Sequence, residues 1–108
     1  MNEILNFLDH TRELEGKFLP KFQEGTSQHS LLKNRIRALQ TARVLISGED
    51  WPSRQELEFA LPRIESLIHK MSKARDKYEP GSRNYKRFNP MVQAMKQVRT
   101  AIMQALEG

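Results

Sequence analysis

Cysteine is absent from the 108 residues, which excludes disulfides, thiolate metal sites and cysteine nucleophiles together. Long apolar runs are absent as well. A stretch such as Ala42 to Ile46 is interrupted by Arg43 and falls far short of the roughly 20 residues a membrane-spanning helix requires. The amino terminus lacks the basic segment and continuous apolar core of a signal peptide, because Asn2 and Glu3 open it and Asp9 breaks its apolar stretch. A cytoplasmic location is therefore expected. No segment alternates apolar and polar residues as a half-buried strand would.

What is present is a helix-forming composition. With 38% hydrophobic and 29% charged residues, the chain has enough core formers to fold as one domain over residues 1–108. Gly25, the stretch Gly48 to Ser53, and Pro80-Gly81 divide it into four segments long enough for helices. The third carries the clearest stripe: Leu57, Ala60, Leu61, Ile64, Leu67, Ile68, Met71, Ala74 and Tyr78 recur at helical spacing. Ser53 with Glu56 forms an S-x-x-E capping box at its start, and Trp51 is expected to pack on Leu57 as a displaced hydrophobic staple. The second segment, Thr26 to Ile46, has a broad apolar face that includes Leu31 and Leu39, with Gly48 fitting a left-handed cap. In the first, Asn2 to Gln23, residues Ile4, Leu8, Thr11, Phe18 and Phe22 share a face, with a bend expected near Pro20. Pro62 and Pro90 are expected to kink or restart the third and fourth helices, Asn89-Pro90 resembling a cap followed by proline at the first helical position.

Sliding the chain by 56 residues pairs Lys21–Ile46 with Lys77–Ile102 without a gap. Five pairs are identical, Lys21 with Lys77, Gly25 with Gly81, Ala38 with Ala94, Arg43 with Arg99 and Ile46 with Ile102, against roughly one or two from ordinary composition. Phe22 with Tyr78 and Thr26 with Ser82 add conservative matches at the loop. The fold this predicts is all-α, an antiparallel four-helix bundle built from two duplicated helical hairpins, residues 1–50 and 51–108. Neither hairpin buries its apolar face alone, and each is expected to cover the other.

Chemistry-bearing patterns are scarce. The histidines His10, His29 and His69 lack a glutamate three residues before them, the spacing of carboxylate-bridged metal bundles. Gly25 and Gly81 are isolated glycines rather than a phosphate loop, and no serine sits in a nucleophile elbow. Carboxylates such as Glu13 and Glu15, or Glu56 and Glu58, are two apart and point to different sides of a helix. No enzyme activity, cofactor or metal is expected.

Charge is unevenly spread. The net charge is +5, and the second and fourth segments carry most of it, with Lys33, Arg35, Arg37 and Arg43 on one and Arg83, Lys86, Arg87, Lys96 and Arg99 on the other. Lys33, Arg37, Lys86 and Lys96 point away from the apolar stripes and form a candidate polyanion-binding set. The leading expectation is a small non-catalytic helical interaction module whose partner is another protein. Nucleic-acid binding through the basic faces of the second and fourth helices is the alternative. A homodimer contact is a further expectation, because Phe59 lies outside its helix's stripe. In size, basic charge and helical pattern the chain is also similar to immunity proteins against small membrane-active bacteriocins, a resemblance of class that no motif carries.

Two charges are misplaced. Glu15 and Arg35 each lie near the middle of the apolar face of their own segment, and each is ten residues from Gly25. An antiparallel hairpin turning there brings them to one level, so they are expected to pair. At the offset of 56 they align with Met71 and Met91, a matched replacement of both charges.

Overall fold

The computed structural model describes residues 2–108. It is built from four α-helices, α1 (Asn2–Phe18), α2 (Ser27–Ser47), α3 (Arg54–Asp76) and α4 (Arg83–Glu107), with a 3-10 turn over Leu19–Lys21. There is no strand among the described residues. Each of the last three helices starts on a side-chain cap that satisfies an orphan backbone amide. Thr26 accepts from the His29 amide at 3.2 Å and Ser82 from the Tyr85 amide at 3.2 Å. Ser53 accepts from the Glu56 amide at 3.1 Å, while the Ser53 amide donates back to Glu56 Oε1 at 3.0 Å, completing the capping box. Gly48, at φ 74°, ends α2 in the left-handed region that a side chain disfavours.

Consecutive helices pack on one another, α1 on α2, α2 on α3 and α3 on α4, with lighter contact of α4 with α1 and α2. This order is compatible with a four-helix bundle. Arg43, late in α2, donates to Asp9, early in α1, at 2.8 Å. Arg54, at the start of α3, donates to the Leu106 carbonyl near the end of α4 at 2.9 Å. Both pairs are therefore antiparallel, and the α1–α2 and α3–α4 loops lie at one end. Leu8, Leu39, Leu57, Ile64, Leu67, Met95, Val98 and Ile102 are at most 2% exposed and form the central core. Each such aliphatic side chain contributes about 1.5–3 kcal/mol by burial.

The two loops share a hydrogen-bond pattern at the offset of 56. Phe22 donates to the Leu19 carbonyl and Thr26 to that of Gln23, as Tyr78 does to Arg75 and Ser82 to Glu79. The caps of α2 and α4 repeat it. One difference stands out: Gly25 has φ 85°, whereas Gly81 does not take a positive φ.

Several expectations need correction. α1 ends at Phe18 and passes into the 3-10 turn, so Pro20 lies beyond the α-helix rather than at a bend within it. Neither Pro62 nor Pro90 restarts its helix; α3 and α4 run through them, and α4 begins on the Ser82 cap. Both prolines are exposed, as are Glu58 and Lys86, whose carbonyls lose a partner and can be hydrated instead. Trp51 is not the buried staple expected. It is 68% exposed, because the staple position directly before the Ser53 cap belongs to Pro52, which is buried. Phe59 is not a bare apolar surface either: the guanidiniums of Arg37 and Arg63 lie 4.5 and 4.1 Å from its ring centre.

The largest departure is at the loop end. Phe18, Phe22, Leu31 and Tyr78 belong to the apolar stripes, yet they are 46%, 39%, 46% and 40% exposed. The stripes continue past the point where the core stops.

Candidate interaction site

Glu15 lies one turn before the end of α1, with Thr11 one turn behind it and Phe18 ahead. Its position on the inner face of α1 forces its carboxylate inward, and its side chain is 4% exposed. Arg35, on the inner face of α2, places Nη1 3.8 Å from Glu15 Oε1. Its Nη2 donates to Ser66 Oγ of α3 at 3.2 Å. Lys70, one turn further along α3, reaches the same Glu15 Oε1 at 3.5 Å from a largely exposed side chain. Three helices thus meet on one carboxylate. Glu15 Oε2 and Arg35 Nε are buried without a hydrogen-bond partner, so the cluster is held by charge more than by well-formed bonds.

Ser66 and Lys70 were not singled out from the sequence. The only trace there is that both fall one turn apart on the flank of the α3 stripe, and their contact with α1 and α2 depends on how α3 is rotated against them.

Two apolar grooves open beside this cluster. The first, about 210 Å³, lies between α1, α3 and α4, with Leu14 and Phe18 on one wall and Met71, Ala74, Phe88 and Met91 on the other. The second, about 290 Å³, runs from Phe18 to Phe22, Leu31 and Leu32. Glu15, Phe18 and Lys70 line both, so Phe18 stands as a ridge between them. The Tyr78 ring stacks on Phe88 with centroids 6.1 Å apart. Lys21 Nζ lies 4.8 Å from the centre of the Phe18 ring. The exposed apolar surface therefore runs continuously across the loop end, rimmed by lysine.

The candidate polyanion set is placed differently. Lys33, Arg37 and Lys86 are exposed and Lys96 is half-buried. Lys33 and Arg37 stand on α2 and Lys86 and Lys96 on α4, two helices that touch only lightly. Lys96 lines a shallow polar hollow on α4 with Gln93, Gln97 and Thr100. Among the described residues, no three His, Asp or Glu side chains lie close enough to hold a metal ion. None of the described helices is long and apolar enough to cross a membrane.

Away from this site, half-buried Arg43 and exposed Glu56 are electrostatically shifted. The Asp9 carboxylate, helped by Glu49, raises the Arg43 guanidinium above its ordinary range. Hydrogen bonds from Ser53 hold the Glu56 carboxyl below the usual glutamate range. Both serve helix ends and interhelical ties rather than a reaction centre. No known protein family matches the chain, and neither do the curated proteins or the solved structures.

Proposed function

We propose that the protein is a small non-catalytic interaction module that receives another protein on the apolar surface at its loop end. One observation carries this: Phe18, Phe22, Leu31 and Tyr78 continue the core stripes of their helices but stand at least 39% exposed, all at the same end. Large apolar side chains left in water are costly, and a contiguous set of them around a groove is the ordinary mark of a binding surface. Chemistry of the catalytic kind draws no support from the site, whose charged members, Glu15, Arg35 and Lys70, are engaged with one another and leave one positive charge in excess. Affinity capture from the cells that make the protein tests the proposal. The wild type should retain a defined partner that a folded Phe18→Asp variant loses. Equal capture by both would remove the loop end as the binding surface.

The same proposal includes the origin of the fold by duplication. It is supported by the matched loop hydrogen bonds and by burial that repeats at the same offset, Leu8 with Ile64, Ala38 with Ala94, Leu39 with Met95 and Ala42 with Val98. On this view α1 has diverged most, with the charged pair Glu15 and Arg35 standing where the second hairpin has Met71 and Met91. Superposition of the two hairpins should be best at a shift of 56 residues; another best shift would remove the duplication.

A further inference from the structure

Resting on that interaction-module reading, we infer that the occupant of the two grooves is an acidic amphipathic helix, with apolar anchors on either side of Phe18 and carboxylates facing Lys70 and Lys21. The shape favours a helix. The surface is two adjoining concavities of about 210 and 290 Å³ that share Phe18, Glu15 and Lys70, and side chains one helical turn apart can reach into both. Met71 and Met91 on the first groove's wall supply unbranched, adaptable lining of the kind that helix-receiving grooves use.

Charge identifies the sign of the partner. The charged residues lining the two grooves are Glu15, Arg35 and Lys70, and Lys21 stands over the ridge itself. Three cations thus stand about the grooves against one carboxylate, and that carboxylate is already shared by Arg35 and Lys70. Lys70 is the accessible member, 58% exposed while its partner Glu15 is 4% exposed. A carboxylate on the incoming helix can meet it without entering the core. A second copy of the chain docked by the same face is the poorer occupant, because it would set Lys70 and Lys21 against the same lysines of the copy.

The test is selection from a displayed library of helix-forming peptides randomised in charge and apolar positions, using the full-length protein. The wild type should enrich peptides with apolar residues at i and i+3 or i+4, flanked by Asp or Glu. Reversing those acids to Lys should weaken binding roughly fivefold, the scale of a few exposed ion pairs. Lys70→Glu and Lys21→Glu should each shift the selection toward basic peptides, and the second leaves the contacts of Glu15 untouched should the first fail to fold. Peptides enriched without charge preference, yet lost with Phe18→Asp, would overturn the acidic assignment while leaving the interaction module standing. No enrichment, together with flotation on phosphatidylglycerol vesicles, would overturn it in favour of a membrane surface. No enrichment combined with equal partner capture by wild type and Phe18→Asp would remove both.

Discussion

At the scale of residues, the Glu15–Arg35 pair shows how far a local argument reaches. Equal distance from the turn, and the paired replacement by Met71 and Met91, locate two charges that stand 3.8 Å apart in the folded chain. The convergence of Lys70 and Ser66 on them is invisible from spacing within one hairpin, since it requires the rotation of α3 against α1 and α2. A buried pair with long contacts and two unpartnered atoms is costly to break and cheap to replace. Glu15→Ala or Arg35→Ala should destabilise by about 3–5 kcal/mol, whereas Glu15→Met with Arg35→Met together should be neutral or stabilising. Urea unfolding of the single and double methionine variants closes a thermodynamic cycle. A coupling energy near zero would mean that the two charges act separately. The glycines make a second residue-scale contrast. Alanine at Gly25 meets no neighbour but must adopt φ 85°, while alanine at Gly81 meets no neighbour and takes no positive φ. Gly25→Ala should lower stability by about 1 kcal/mol, and Gly81→Ala should leave it unchanged or slightly raised.

At the scale of elements, helix starts were legible because a cap is a local bargain between a side chain and amides two or three residues away. Thr26, Ser53 and Gly48 act where their identities suggest. A helix restart at the prolines is not legible either way from local signals: Pro62 and Pro90 remove one hydrogen bond each, but neighbouring helices hold α3 and α4 continuous across them. The capping box gives α3 a pH-dependent end. Because the Glu56 carboxyl is held below its ordinary value, its contribution is present above the unfolded glutamate pKa and is lost as pH falls through the lowered folded value. Urea midpoints of wild type and Glu56→Gln should therefore differ at neutral pH and converge in acid. A gap that persists unchanged in acid would assign the effect to something other than the carboxylate. Ser53→Ala should cost about 1 kcal/mol. In α1, Gly16 lies in the last turn with nothing within 4 Å of an added Cβ, so Gly16→Ala should stabilise by about 0.4–1 kcal/mol.

At the scale of the whole molecule, helical periodicity identifies which faces are apolar but not where along a helix the partner ends. Phe18, Phe22, Leu31 and Tyr78 read as core for that reason, and they become surface because the packed layers stop short of the loop end. Of the basic set, Lys33, Arg37 and Lys86 are exposed and Lys96 is half-buried, and the four divide between two helices rather than forming one patch. Neutralising Lys33, Arg37, Lys86 and Lys96 together should abolish any low-salt retention on a polyanion column and leave protein-partner capture within about twofold, the small effect expected of charges remote from an interface. Loss of capture in that variant would move the binding surface to α2 and α4.

Site-specific photocrosslinking tests the central claim most directly. A photoreactive residue placed at Leu14 or Leu31, beside the grooves, should join the protein to one partner in the cell. The same residue at Gln97 or Met103, on the exposed surface of α4 away from the loop end, should not. Crosslinks from Gln97 or Met103 alone, or none from any of the four, would contradict the assignment of the loop end as the working surface of this protein.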